Sequence, residues 1–183
     1  LESYFYAINE KFCPDTIAFW NMKFDFVTIQ NRIKHLAGEA AIPAIMCPKD
    51  FEKFSQVFYW EDKNARDFAD KKDSATITSK TAWIDQMLAF ASIRKTAGKR
   101  DSYSLDSVLE DEIGHGKVDL KGVSLRQIRH VDYYKYAVYS LVDSIGLMML
   151  ERKNQDFDLL YTLAMMSNAR FQKARTKTIT LKM

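Results

Sequence analysis

The sequence has few cysteines, few prolines and no long apolar run. Its 183 residues include 2 cysteines, 3 prolines and 6 glycines. Cys13 and Cys47 lie far apart and form no metal-type pair, so a disulfide framework is not indicated and a reducing, cytoplasmic setting is favoured. No apolar segment approaches the ~20 residues that span a bilayer, which predicts that the protein has no membrane partner.

Strong charge of one sign and the common ligand motifs are also absent. The net charge is +3, so charge alone does not demonstrate nucleic-acid binding. The histidines at positions 35, 115 and 130 show no metal-ligand spacing, and no GxxxxGK phosphate-binding motif occurs. Hydrophobic residues make up 47% of the chain, which is ordinary for a globular domain with a sizeable core.

The most informative stretch covers residues 18–32 and has the sequence AFWNMKFDFVTIQNR. β-Branched and aromatic residues at 16–20 predict a short buried strand, Asn21 a sharp polar corner, and the apolar spacing of 26–36 a helix. Asp25 stands at the start of this helix and allows two interpretations. Its carboxylate either caps the helix, or points beyond the strand end, where open α/β sheets place their chemistry.

The rest of the chain predicts an α/β fold with one segment that is harder to assign. Residues 40–75 combine an aromatic-rich stretch with a dense charge run, which predicts an insertion containing a hairpin or short helices. The aromatic cluster there either forms a satellite core or binds single-stranded DNA by stacking. The other predicted elements are a helix over 1–12, a strand and its continuation over 75–85, and helices over 87–98, 104–110, 124–151 with a break near 130–132, and 156–173.

Tyr139 and Asp143 form a second candidate pair in the sequence YYKYAVYSLVDSIGLMMLE. They are four residues apart, so they share one face of a helix. Asp143 interrupts an apolar run, and a buried carboxylate is unfavourable unless it is paired or binds a metal. The alternative is a partly exposed aspartate that is hydrogen-bonded to its neighbours.

Three of these segments, in this order, resemble the 3′–5′ proofreading exonuclease domain of family B DNA polymerases, and most closely that of T-even-type bacteriophages. The segments are Asn21-Met22-Lys23-Phe24-Asp25, Tyr103-Ser104-Leu105-Asp106-Ser107-Val108 and Tyr139-Ser140-Leu141-Val142-Asp143, with the arginine-containing lead-in at 125–130. The resemblance covers most of residues 1 to about 170 and implies a ribonuclease H-like fold.

The resemblance also implies a reaction and a set of site residues. The reaction is hydrolysis of the terminal phosphodiester at the 3′ end of single-stranded DNA by two divalent cations, Mg²⁺ or Mn²⁺. Asp25 and Asp143 are implied as metal ligands, and Tyr139 as the residue that orients the attacking water. Asn21 and Phe24 are implied to shape the pocket or contact the DNA. A phage source implies the host cell cytoplasm as the location.

The sequence departs from the family pattern because its first motif, Asp-x-Glu on the opening strand, is absent, as are the polymerase motifs. We therefore expect residues 1–155 to be a partial exonuclease domain without its first strands. Residues 156–183 are expected to be a helical segment that leads toward a polymerase domain not present here. The remaining polymerase domains of the parent chain are the expected partners.

This departure gives four further expectations. The two-metal site is incomplete in this chain, so the chain alone is a poor exonuclease or none. An open sheet edge allows strand-mediated dimers. Residues 156–183 pack loosely, with sparse contacts after Arg170. The alternative function is a non-catalytic structural or DNA-binding module with an exonuclease-like fold.

Overall fold

The computed structural model describes residues 1–116 and 124–175. Two compact units are present, one formed by residues 1–96 with the segment that begins at Leu160, and one formed by Ala97–Leu159. Both helices and strands occur, so the predicted α/β class is confirmed at this level. The predicted division at residue 155 into an exonuclease domain and a helical segment stays a prediction.

The first unit alternates helices with short strands. Its elements are α1 (Glu2–Tyr6), continued by a π-helix (Ala7–Phe12), β1 (Thr16–Phe19), α2 (Met22–Ala37), α3 (Ala41–Met46), β2 (Val57–Trp60), β3 (Ser74–Ile77), β4 (Ala82–Asp85) and α4 (Gln86–Ile93). Short 3₁₀ segments lie at Lys49–Phe54, Phe68–Asp70, Lys95–Ala97 and Phe171–Lys173, and the first of them is interrupted by a kink at Phe51. The segment predicted as an insertion thus contains both short helices and a strand of a β-ladder.

Among the described residues, the first unit contains two separate β-ladders. Strands β1 and β4 pair in parallel, with Thr16 opposite Ala82 and Phe19 opposite Asp85. Strands β2 and β3 pair antiparallel, from Val57 opposite Ile77 to Trp60 opposite Ser74. Within the described residues no further strand joins β1 or β4. Because β1 and β4 run in the same direction, their carboxyl ends lie at the same edge.

The core of the first unit fixes α2 against the parallel ladder. Its central side chain is Trp83 on β4, which stacks on Phe19 with ring centroids 5.3 Å apart and meets Phe26 of α2 edge-on at 6.2 Å. Phe26 and Ile33, seven residues apart on α2, are both fully buried. The helical periodicity predicted for residues 26–36 therefore corresponds to the face of α2 that packs on the core.

The prediction of a strand and its continuation over residues 75–85 is wrong. Residues 75–85 form two strands in different ladders, β3 and β4, rather than one strand and its continuation. The chain leaves the antiparallel ladder of β2 and β3 at Thr78, whose hydroxyl donates to the carbonyl of Phe54 at 2.9 Å. Thr81 then donates its N–H to the hydroxyl of Ser79. These hydrogen bonds replace ladder bonds, which β-propensity alone does not reveal.

The prediction of a loosely packed segment after Arg170 is wrong for residues 171–175. Ala174 is buried, and Arg175 donates Nη1 to the carbonyl of Lys71 at 2.7 Å and Nη2 to that of Asp73 at 2.5 Å. The guanidinium thereby satisfies two carbonyls at the start of β3, and this anchors the segment. Residues 176–183 lie outside the described residues.

Helices make up the second unit in the part of the chain that is described. They are α5 (Leu105–Ile113), α6 (Leu125–Val131), α7 (Tyr133–Asn154) and the first turn of α8 (Asp156–Ser167). The predicted break near 130–132 is confirmed, since Asp132 ends α6 and accepts the N–H of Lys135 to cap α7. Over residues 1–116 and 124–175, none of the helices is both long and apolar enough to cross a membrane.

Candidate active site

Asn21 forms a tight corner between β1 and α2. It adopts left-handed backbone angles, φ 64° and ψ 63°, which asparagine tolerates better than most residues. Its carbonyl accepts the N–H of Phe24 at 3.0 Å, and its side chain is exposed. The predicted strand, polar corner and helix are therefore all present, and α2 begins at the carboxyl-end edge of the parallel ladder.

Asp85 caps the two helices that begin at this edge, and the sequence analysis missed it. Its Oδ1 accepts the N–H of Leu88 in α4 at 2.9 Å, and its Oδ2 accepts the N–H of Met22 in α2 at 2.9 Å. The second bond spans 63 residues. An aspartate directly before an apolar helical stretch is an N-cap pattern, so the cap of α4 was detectable from sequence.

The environment of Asp85 raises its pKa to about 6, and burial is the main cause. The two N–H groups of Leu88 and Met22 oppose this shift, as does the positive charge of Arg175, because all three favour the ionised carboxylate. Arg175 in turn has a lowered pKa because it is itself largely buried. Asp85 is therefore a buried structural acid whose charge state changes in mildly acidic solution.

Asp25 does not cap α2, so the first of its two interpretations is wrong. It lies in the first turn of the helix, yet no side chain of the N-cap residue or of Asp25 makes the cap hydrogen bond. Among the residues that the structure describes, none donates a hydrogen bond to its carboxylate. The carboxylate of Asp25 is therefore half-buried and uncommitted, and the N–H of Met22 is bound by Asp85 instead.

Partial burial raises the pKa of Asp25 above its ordinary value. Tyr4 on α1 lies close enough to respond to it: burial raises the pKa of the Tyr4 phenol, and the negative charge of Asp25 raises it further. A carboxylate in this state binds protons or cations more readily than a hydrogen-bonded one. After Asp85, Tyr4 is the second residue near the candidate site that the sequence analysis did not identify.

The neighbours of Asp25 in its motif lie at the surface. Phe24 is 68% exposed, so it is accessible to a ligand as the resemblance implies. Lys23 forms an ion pair with Glu61 at 2.5 Å. The ammonium group of Lys23 is thus engaged in an ion pair at the surface.

Tyr139 and Asp143 lie on α7 in the second unit, and both side chains are half-buried. Three residues after Asp143, the backbone of α7 approaches α5 closely at Gly146. A Cβ atom on Gly146 would lie 2.7 Å from Cδ1 of Leu109. A side chain at position 146 would therefore require Leu109 to shift, so glycine allows the observed close approach of α7 to α5.

The proximity of Asp25 and Asp143 stays a prediction, because the two residues belong to different units. Their carboxylate oxygens are of the kind that Mg²⁺ and Mn²⁺ prefer. In the described part of the chain, no three His, Cys, Asp or Glu side chains come together as a metal-ligand group. No protein-family model matches the chain, and no curated protein matches it either.

Proposed function

We propose that this chain is part of the 3′–5′ proofreading exonuclease of a family B DNA polymerase. Its fold would be ribonuclease H-like, similar to that of the exonuclease domain in the polymerases of T-even-type bacteriophages. The substrate is the single-stranded 3′ end of DNA, and the location is the cytoplasm of the host cell. The observation that supports this most is Asp25: a half-buried carboxylate with a raised pKa, at the carboxyl-end edge of a parallel ladder, with no hydrogen-bond donor among the described residues.

Each site residue has a role in this proposal. Asp25 and Asp143 hold divalent cations, Tyr139 orients the attacking water, and Asn21 and Phe24 contact the DNA end. When bound there, divalent cations would supply activation of the water and stabilisation of the leaving oxygen. The missing ligands come from the Asp-x-Glu motif, which the family places before the segment that corresponds to α1.

A free carboxylate at Asp25 suits this role better than a capping one. A carboxylate that already accepts N–H bonds has part of its lone-pair capacity occupied, as Asp85 shows. The raised pKa of Asp25 means that protons compete with cations for it, so metal affinity should fall as the pH is lowered. The competing proposal is a non-catalytic structural or DNA-binding module.

The test is the release of nucleotides from a 3′-labelled single-stranded oligonucleotide in Mg²⁺ or Mn²⁺. The proteins are this chain, the chain extended by the preceding segment of its reading frame, and the extended chain with Asp25→Asn or Asp143→Asn. Asp101→Asn, at an exposed acid of the 98–104 loop, is the matched control. We expect little cleavage by the unextended chain, cleavage by the extended one, and losses of about 100-fold or more for Asp25→Asn and Asp143→Asn only.

Two outcomes would contradict the proposal. Strong cleavage by the unextended chain would show that the ligand set is complete without the first motif. An extended chain that binds DNA but does not cleave it would favour the non-catalytic module.

A further inference from the structure

Strand β2 presents two aromatic side chains away from the core. Phe58 and Trp60 alternate with Val57 and Tyr59 along the strand. The side chains of Phe58 and Trp60 are each 48% exposed. Val57 and Tyr59 pack on the core of the first unit instead. Neither a satellite core nor a binding surface therefore describes the whole of β2, because one face of the strand packs on the core and the other is open.

The open face forms the floor of a cleft of about 660 Å³ in the first unit. Small polar side chains lie opposite the aromatic ones on β3, with Thr76 paired to Phe58 and Ser74 to Trp60. The wall is the segment around the 3₁₀ turn Phe171–Lys173, which Arg175 anchors to the carbonyls of Lys71 and Asp73. Both sides of the cleft are thus fixed by hydrogen bonds.

Positively charged side chains line the same cleft as the two aromatic rings. They are those of Lys72, Arg170 and Lys173, and none of the lining residues that the structure describes is acidic. None of these three cations forms an ion pair with another of the residues that the structure describes. Arg175 also lines the cleft, but its guanidinium is committed to backbone carbonyls.

We propose that this cleft binds single-stranded nucleic acid, with unpaired bases stacked on Phe58 and Trp60 and phosphates bound by Lys72, Arg170 and Lys173. Aromatic side chains in a positively charged groove are the usual means of binding a single strand without sequence preference. Alternate residues of a strand are about 7 Å apart, so each ring is accessible to a separate base. A duplex does not fit this chemistry, because its bases are already stacked.

This inference goes beyond the proposed exonuclease and does not depend on it. The cleft uses neither Asp25, Tyr139 nor Asp143, and binding there requires no metal. An acidic polypeptide would satisfy the three cations but would leave both aromatic rings without a partner, so nucleic acid is the ligand that uses the whole surface. Stacking and phosphate contacts do not distinguish DNA from RNA, since neither involves the 2′-hydroxyl.

The test is fluorescence anisotropy of labelled oligo(dT) and oligo(rU) of about 12 nucleotides, within the range of known single-strand sites, with EDTA present to exclude metal-dependent binding. We expect Trp60→Ala to weaken binding about tenfold, since a stacked base typically contributes that much or more. Trp60→Phe should retain most of the affinity. Phe54→Ala is the matched control, at a 77% exposed aromatic outside the cleft.

The charge contribution is measured by the salt dependence. Three phosphate contacts predict a slope of about −2 in log K against log salt for a single strand, and Lys173→Gln should reduce its magnitude by about 0.7. Lys53→Gln, at an exposed lysine outside the cleft, should leave the slope unchanged. Intrinsic fluorescence gives an independent readout, because Trp60 is more exposed than the buried Trp83 and should be quenched by bound bases.

Three results would overturn the inference. The first is equal affinity of wild type and Trp60→Ala, and the second is equal binding of single-stranded and duplex DNA. The third is displacement of the oligonucleotide by polyglutamate as effectively as by unlabelled oligo(dT), which would show a purely ionic surface. Because the assay contains EDTA, none of these results depends on whether the exonuclease proposal is correct.

Discussion

In the first unit, the corner that carries Asp25 depends on hydrogen bonds to a buried carboxylate, whereas in the second unit the helix that carries Asp143 depends on close apolar packing. Asp85 accepts the N–H groups of Met22 and Leu88, so it aligns the start of α2 with the start of α4. Gly146 instead allows α7 to approach Leu109 of α5. One placement is polar and sensitive to pH, and the other is steric and insensitive to it.

The largest expected effect comes from removing the shared cap. Asp85→Ala leaves two buried N–H groups without their acceptor, and we expect it to lower the free energy of unfolding by about 2–3 kcal/mol at neutral pH. Asp25→Ala is the matched control: its carboxylate caps nothing, so we expect a change within about 0.5 kcal/mol. Urea denaturation followed by circular dichroism measures both. Equal losses in the two variants would show that Asp85 does not act as the cap.

A pH dependence should distinguish the polar placement from the steric one. The pKa of Asp85 is about 6 in the folded protein and about 3.9 in an unfolded chain. The folded state therefore holds the proton more tightly, so protonation of Asp85 adds stability at low pH, and this added stability is lost as the pH rises through about 6. The two cap hydrogen bonds are a separate contribution, and the ionised carboxylate keeps them. The two-unit difference corresponds to about 3 kcal/mol at most.

The measurement for this prediction is the urea midpoint of wild type and Asp85→Asn between about pH 4 and pH 7. The variant lacks the titrating group, so wild type should lose stability relative to it as the pH rises. The positive charge of Arg175 and the negative charge of Asp73 also act on the Asp85 side chain. Wild type and Asp85→Asn both contain these two residues, so the two proteins differ only at position 85. Parallel curves would contradict the assigned role of Asp85.

The steric placement should respond to an added methyl group and not to pH. In Gly146→Ala the new Cβ meets Leu109, which must shift, while the helix gains propensity; we expect a net loss of about 1 kcal/mol. In a double-mutant cycle with Leu109→Val, which shortens the side chain, part of this loss should be recovered. Additive effects of the two changes would show that Gly146 and Leu109 do not restrict each other.

The sequence predicted the elements whose causes are local. The corner at Asn21 and the break at Asp132 follow from neighbouring residues, and both are confirmed. The second cap bond of Asp85 could not be predicted, because Met22 lies 63 residues away and only the paired strands bring the two together. The sequence predicts Arg175 in a loosely packed tail, whereas its guanidinium donates to the carbonyls of Lys71 and Asp73. A basic stretch of sequence does not indicate that carbonyls about a hundred residues away need hydrogen-bond donors.

The central claim is that Asp25 and Asp143 serve one metal pair, and a crystal structure of the extended chain grown with Mn²⁺ tests it most directly. The account predicts density for Mn²⁺ between the two carboxylates, with Tyr139 facing the same ions. Carboxylates more than about 12 Å apart, beyond the reach of a shared two-metal site, would contradict it.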